Sequence, residues 1–307
     1  MSLHSIVAAL GGDLYARGSR ANVPAPGHSP HDRSVSLRLV DGRVLVHAFS
    51  GADWREILDD LRARNLIDDL NRPTGLTVAA GLRPGRPEPS DHERIDAARR
   101  LWDGARPVAG SLSETHLRLR RVLREAPGPD ALRHHPAAPI SAYRPRAPTR
   151  PALLAGIRGP DGELNAVEIT YLDPNGQRTR RLRLPRKTIG VIAPSSAVRL
   201  DPVGADLLVG EGVFTVLSAA ERFGRPGWAL MSTRNLRSWR APDGVRSVWI
   251  AADRGKDGER SARELSEALR QAGVQTRTLL PPRPHGDWND AAPAVEPVRR
   301  QRQKVEG

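Results

Sequence analysis

With 307 residues the chain can bury a sizeable core, and its length suggests about two domains. It contains no cysteine, which excludes disulfides and Cys-ligated zinc and fits a cytoplasmic location. It has no run of about 18 apolar residues to cross a membrane, and its N-terminal MSLHSIVAALGGDLYARG lacks the basic leader and apolar centre of a secretory signal. The formal net charge is +13, and lysine occurs only at Lys187, Lys256 and Lys304, so the excess is guanidinium. An arginine-biased composition supplies part of that excess on its own. The sign and the planar fork of arginine nevertheless favour phosphate, and hence nucleic acid, as a partner.

Residues 1–72 read as one small α+β module. SIVAALGG predicts a short helix stopped by Gly11-Gly12. VSLRLVDGRVLVHAF predicts a hairpin turning at Asp41-Gly42, with Val35, Leu37 and Leu39 sharing a face with Val44, Val46 and Ala48. DWREILDDLRARNLI predicts an amphipathic helix burying Trp54, Ile57, Leu58 and Leu61. Residues 73–90 are a Pro/Gly-rich linker. Residues 91–125 form a helical pair, with Ile95, Ala98, Trp102 and Ala105 on one side of the first helix and a Ser111/Glu114 capping box opening the second. Residues 126–151, rich in Pro and Arg, read as an extended connection.

From 152 to 200 the period changes to two. LLAGIR, a PDG turn, LNAVEITYL, a DPNG turn and RTRRLRL predict an antiparallel β-meander. Its last stretch carries Arg180, Arg181, Arg183, Arg186 and Lys187, either a solvated face or a strand that tracks phosphates. From 201 to 292 strands and helices alternate: DLLVG, VFTVLSAAERFG, WALMS, VRSVWIAAD, DGERSARELSEALRQAG and VQTRTLL. That density predicts a mostly parallel α/β sheet. Residues 293–307 read as a disordered basic tail.

Ligands of a parallel sheet sit beyond the carboxyl ends of its strands. Two strands here end in acids, at Glu211 and Asp253, and the last leads into GDWND, with Asp287 and Asp290. Asp257 follows Asp253 closely, as a further ligand or as the cap of the next helix. Carboxylates brought to one rim repel unless a cation or proton compensates. An open oxygen-only set favours Mg²⁺ or Mn²⁺ over zinc. Arg234 and Asn235, just past WALMS, lie at the same predicted edge and are candidate phosphate contacts. No Walker phosphate loop is present, so a self-powered helicase is not expected within this chain.

Glu211-Gly212 after a strand, Asp253 after a strand about forty residues on, then Gly258 opening a helix, resemble the Toprim domain of primases, topoisomerases and some nucleases. GDWND resembles the terminal acidic motif of primase-like Toprim proteins of phages and plasmids. The resemblance implies a Rossmann-like fold over 206–292. It implies Glu211 and Asp253 as the catalytic pair, Glu211 as general acid or base and both as metal positions, with Asp257 or Asp287 completing the site. One departure stands out: the family's Asp-x-Asp is Asp253-Arg254-Gly255 here.

PAPGHSPHDRSVSLRL…VLVHAFSGADW resembles the zinc ribbon that precedes such domains. Ala25, Ala48 and Ala52 stand at the cysteine positions and only His28 remains, which implies a zinc-less relic. ARRLWDGARPVAGSL resembles a helical segment of the same mobile-element proteins. The function implied is Mg²⁺-dependent nucleotidyl transfer, making primers from nucleotides on single-stranded DNA in replication of a mobile element, alongside a separate helicase or polymerase. A catalytically inactive nucleic-acid binder and a Toprim nuclease are the alternatives.

Overall fold

A computed structural model of the chain describes residues 2–28, 32–48, 53–74, 89–143, 146–182 and 184–293. His31, Ala52, Arg183, most of the proposed linker and nearly all of the proposed tail lie outside them. The chain divides into two compact units, Met1–Pro89 and Ser90–Gly307.

The first unit contains α1 (His4–Leu10), β1 (Asp13–Tyr15), β2 (Arg20–Val23), β3 (Val35–Val40), β4 (Arg43–Ala48) and α2 (Trp54–Ala63). Its sheet runs β1-β2-β3-β4, all antiparallel. Asp41 and Gly42 both adopt positive φ (49° and 75°), the backbone a tight two-residue hairpin needs. That turn sets the pairing Val35↔Ala48, Leu37↔Val46 and Leu39↔Val44, as the alternation predicts. α2 buries Ile57, Leu58 and Leu61, each removing apolar surface that contributes about 1.5–3 kcal/mol. Trp54, expected on that face, is half-exposed beneath the Arg55 guanidinium. β1 and β2 were not legible as strands, because ARGSRANV shows little alternation. Where the zinc-ribbon resemblance places ligands, the Asp32 carboxylate accepts from Ala25 N at 3.1 Å and from the Ser34 hydroxyl, and lies 3.2 Å from His28 Nδ1. The Ser34 hydroxyl first, then the Ala25 N–H, hold the Asp32 carboxyl down at about 2.

The second unit opens with α3 (Asp91–Asp103) and α4 (Leu112–Leu119), followed by β5 (Leu132–Pro139), β6 (Thr149–Arg158), β7 (Leu164–Tyr171), β8 (Arg186–Gly190) and β9 (Val198–Arg199). α3 buries Ala97, Ala98, Leu101 and Trp102, a stripe turned somewhat from the predicted one. The complete capping box belongs to α3, where Ser90 and Glu93 exchange hydrogen bonds. At α4 Ser111 caps Ser113 N while Glu114 reaches Gly110 N instead.

The antiparallel sheet runs β5-β6-β7-β8. It begins within the stretch expected to be an extended connection: LRHHPAAP pairs with β6 through a register shift between His135 and Ala138. An edge strand tolerates prolines, since it need not donate on its open side. At the other edge β8 is RKTIG, not RTRRLRL. Residues 176–182 turn, and only Arg178 makes an isolated bridge, to Leu172.

The remaining elements are β10 (Asp206–Gly210), α5 (Val213–Phe223), β11 (Gly227–Ala229), α6 (Thr233–Ser238), β12 (Ser247–Ala251), α7 (Lys256–Gln271) and β13 (Gln275–Leu279). Their sheet runs β13-β12-β10-β11-β9, parallel except for the β11–β9 pair. Alternation divides its side chains. Leu207, Val209, Val248 and Ile250 pack with Leu236 of α6 and with Ala262, Leu265 and Leu269 of α7. On the other side Leu208 and Ala251 pack with Val213, Phe214, Val216 and Leu217 of α5. That core continues into Leu117, Leu132, Leu153 and Ile157 of the preceding elements. The architecture is thus α/β, with a C-terminal, mostly parallel sheet preceded by an antiparallel sheet and a small α+β module. Among the described residues no helix is long and apolar enough to cross a membrane.

Candidate active site

The parallel pairing of β10 with β12 aligns Gly210 with Ala251. Glu211 follows one residue later and Asp253 two residues after Ala251, so both carboxylates emerge at the same rim of neighbouring strands. Thr215, in the first turn of α5, donates its hydroxyl to Asp253 Oδ1 at 3.3 Å. The backbone N–H of Thr233, at the start of α6, reaches the Glu211 carboxylate.

Burial pushes the Asp253 carboxyl up to about 6, and the negative charges of Asp287, Glu211 and Asp290 push the same way. Glu211 is raised by burial first and by Asp257 second, while Arg186 and Arg237 act against the rise. Five acids from three stretches of sequence therefore feel one another here. Asp287 belongs with them: it is a leading charge on Asp253, and its Oδ1 accepts from Asp290 N at 2.7 Å.

Asp257 behaves differently. It is exposed and ion-paired to Arg237 and Arg260, and the Arg260 hydrogen bond holds its pKa below the ordinary value. Nor does it cap α7. The cap is Gly255, at φ 122°. An aspartate at that position would strain the backbone, so the missing second acid of Asp-x-Asp coincides with a conformation that suits glycine.

The predicted phosphate contacts separate. Arg186 is exposed, 3.8 Å from the largely buried Glu168, and close enough to bias Glu211. Arg180 and Arg181 are exposed in the turn before β8. Arg234 is exposed in the first turn of α6. Lys187 is directed elsewhere: its Nζ donates to Ile140 O at 2.7 Å and lies over the Tyr171 ring, and burial lowers its pKa. Asn235 is a correction. It is only 5% exposed, and its amide donates to Ser196 O and Leu230 O and accepts from Ser195 N. It braces two backbone segments and its amide has no donor left for a phosphate.

Sequence reading missed Arg120, at the end of α4. Its half-buried guanidinium feels Asp287 and Asp290 as attractive charges and Arg178 and Arg186 as repulsive ones. A basic wall from the preceding elements, Arg120, Arg178 and Arg186, thus faces the acidic rim. No motif could have announced it, because Arg120 meets Asn289 across 169 positions of sequence.

Behind Arg120, His116 is 2% exposed and packs edge-on against Phe214. A carbonyl only accepts, so its Nδ1 carries the proton given to Gly176 O at 2.9 Å. Burial, aided by the charges of Arg120 and Arg178, lowers the imidazole to about 4. A neutral buried histidine stabilises the fold fully above its unfolded pKa of about 6.5 and loses that contribution as pH falls towards about 4. Relative to His116→Leu, the wild type is therefore expected to lose about 2 kcal/mol between pH 7 and pH 4.5 in chemical denaturation. A pH-independent difference would contradict the assignment.

Among the described residues no three His, Asp or Glu side chains close into a metal-chelating group. Mg²⁺ does not need one, since it keeps waters and binds through one or two carboxylates plus phosphate. The donor chemistry fits: oxygen ligands only, with Asp253 raised by burial and then by acidic neighbours whose repulsion a divalent cation relieves.

Residues 206–295 match the Toprim domain family, and residues 92–200 match DUF7146, a domain of unknown function. Curated proteins offer no match. Among solved structures, the chain is similar to the primase fragment of the bacteriophage T7 primase-helicase protein, at 15% identity and TM-score 0.34 over 46% of this chain and 57% of that one. It is also similar to the Aquifex aeolicus primase zinc-binding and RNA polymerase domains, at 13% identity and TM-score 0.41 over 94% of this chain and 79% of that one. A third likeness is to the DnaG primase catalytic domain bound to ssDNA, at 15% identity and TM-score 0.41 over 64% and 77%. The chain spans a little over half of the phage fragment's length.

Proposed function

We propose, from the match of residues 206–295 to the Toprim domain family, that this protein is primase-like and joins nucleotides on a single-stranded DNA template with the help of Mg²⁺ or Mn²⁺. The observation that carries the reading is the meeting of Glu211, Asp253 and Asp287 at one strand-end rim, opposite Arg120 and Arg186. Acids alone would repel a nucleotide and arginines alone would only bind one. Facing each other, they suit a phosphate that must be both held and charge-compensated.

In this reading Asp253 and Asp287 hold the cation, which would supply stabilisation of charge developing on the transferring phosphoryl group. Glu211, its carboxyl raised by burial, exchanges a proton with the attacking hydroxyl. Thr215 orients Asp253. Arg186, with Arg180 and Arg181 nearby in the chain and Arg234 from α6, binds phosphates of the nucleotide or template. The net charge of +13 draws the strand in and makes its binding salt-sensitive under any reading. A cytoplasmic location fits the cysteine-free composition, a separate helicase fits the lack of a Walker motif, and the mobile-element setting rests on the likeness of GDWND to phage and plasmid proteins.

The test is incubation of the full chain with single-stranded template, labelled nucleotides and Mn²⁺, with products resolved by size. Extended labelled products are expected, and Glu211→Gln should abolish them. Shortened DNA would instead identify a nuclease using the same acids. Neither product, with no Mn²⁺ bound, would identify the inactive nucleic-acid binder that Gly255 in the second aspartate position favours.

A further inference from the structure

We propose that Asn289 is a positioning residue that presents the open edge of the Arg120 guanidinium to a phosphate group. This rests on the reading of the acidic rim as a nucleotide site, and it gives a role to the asparagine of GDWND that neither the acids nor the fold explains.

Asn289 is 5% exposed, between two acids that are not buried. Its Oδ1 accepts from Arg120 Nε at 2.6 Å, and its Nδ2 donates to the Arg120 backbone carbonyl at 2.6 Å and to Ser218 Oγ at 3.0 Å. One side-chain amide thus grips both the backbone and the side chain of one arginine. Next to it, Arg121 Nη1 donates to Ala292 O at 3.0 Å, a second tie between α4 and the segment after β13. The Arg120 guanidinium also lies over the Phe214 ring, 4.6 Å from its centroid.

Nε and the stacked face are therefore used. The two terminal nitrogens, with four N–H donors, have no hydrogen-bond or ion-pair partner among the described residues. They are not sealed in. Arg120 lines an open pocket of about 510 Å³ together with Arg121, Gly286, Asn289 and Asp290. A guanidinium placed only to bind the nearby acids would close a bidentate pair with one of them, and this one does not. A half-buried cation with its fork unfilled matches two oxygens of a phosphate. Holding Nε and one ring face in advance removes most of the side-chain freedom that such binding would otherwise cost.

The phosphate can belong to a nucleoside triphosphate or to the DNA strand, and binding assays on the full chain separate the two. The probes are a nucleoside triphosphate with Mn²⁺ and a labelled single-stranded oligonucleotide, each titrated by calorimetry or anisotropy, with melting temperature recorded for every variant. Arg120→Gln is expected to weaken one of the two ligands about 10- to 100-fold, the size of a lost charge-assisted pair. Which ligand responds identifies the source.

Asn289→Ala is expected to weaken the same ligand about 10-fold, and the double variant to be no worse than Arg120→Gln alone. Should Asn289→Ala fold poorly, Asn289→Asp keeps the shape and the acceptor while neutralising the guanidinium; it gives up the Nδ2 bond to the Arg120 carbonyl, so it is assayed below its own melting temperature, where it is expected to weaken the same ligand. A merely structural asparagine predicts a lower melting temperature with affinity unchanged. Wild-type binding that Arg120→Gln and Asn289→Asp both leave within twofold overturns the proposal and spares the nucleotide reading. A wild type that binds neither probe overturns both.

Discussion

Asp253→Asn is expected to reduce Mn²⁺-dependent nucleotide incorporation about 10²- to 10³-fold, the usual loss when one preorganised charge-stabilising group is removed, and at the same time to make the protein more stable at neutral pH. The second half follows from the environment of the carboxyl. Its folded pKa, about 6, lies above the ordinary 3.8 because burial and three acidic neighbours disfavour its charge. A raised carboxyl contributes its full stability below about 3.8 and loses it as pH rises through about 6. At pH 7.5 the ionised side chain therefore opposes folding. The shift corresponds to about 3 kcal/mol for a fully enclosed group, and since Asp253 is partly open to water the expected gain is about 1–2 kcal/mol. For a chain of this size that is a rise of roughly 3–6 °C in melting temperature. The gain should vanish near pH 4, where the wild-type side chain is protonated. Added Mn²⁺ should raise the melting temperature of the wild type and leave the variant nearly unmoved. An Asn variant that melts lower at pH 7.5, or that responds to Mn²⁺ as the wild type does, would remove Asp253 from the site.

Such a carboxylate is legible in sequence because strand and acid are adjacent there. VWIAA ending in Asp253 and DLLVG ending in Glu211 each display an apolar run and its polar terminus within six or seven residues. Parallel alternation then places both ends on one side. The Asp41-Gly42 turn is legible for the same reason, since its backbone requirement and its flanking alternation are local. RTRRLRL misleads because alternating arginine and leucine has the period of a strand whether or not a partner strand is in reach. Here Leu184 is left 55% exposed and the pairing passes to RKTIG. LRHHPAAP shows the opposite failure, a real strand disguised by prolines that its edge position tolerates.

Within the site, the acids could be named from their places in the chain, whereas their partners could not. Arg120 sits in an ordinary helical Leu-Arg-Leu-Arg-Arg run that reads as a solvated face. Only the packing of α4 against α5 and the segment after β13 turns that one arginine inward, over Phe214 and onto Asn289. Asp257 fails for a related reason. Its spacing from Asp253 suggests a ligand, but Arg237, from a different helix, claims its carboxylate.

Gly258→Ala, one methyl group in an ordinary helix, is expected to lower stability and slow nucleotide incorporation together. A Cβ at position 258 would stand 2.5 Å from the carbonyl oxygen of Asp253, 3.2 Å from its carbonyl carbon and 3.4 Å from its Cβ. These are mainly backbone atoms, so no rotamer change relieves the clash. The Asp253 segment is itself pinned: Ala252 N donates to Leu279 O at 3.0 Å and Arg254 N to Gly286 O at 2.7 Å. Either the strand end gives way, carrying the Asp253 carboxylate off the rim, or α7 lifts and loosens Ala262 and Leu265 in the core. The helix-propensity gain of alanine over glycine, about 1 kcal/mol, is smaller than the roughly 1–3 kcal/mol of forced overpacking. A net loss of stability is therefore expected. Misplacing a reacting group by about 1 Å costs on the order of 10²-fold in rate, so nucleotide incorporation should fall by about that factor even below the melting temperature. Gly128→Ala, at a position where a Cβ meets no atom within 4 Å, is the matched control and should leave both readouts unchanged. If Gly258→Ala keeps full activity and stability, α7 does not press on Asp253, and the rim owes its shape to the strands alone.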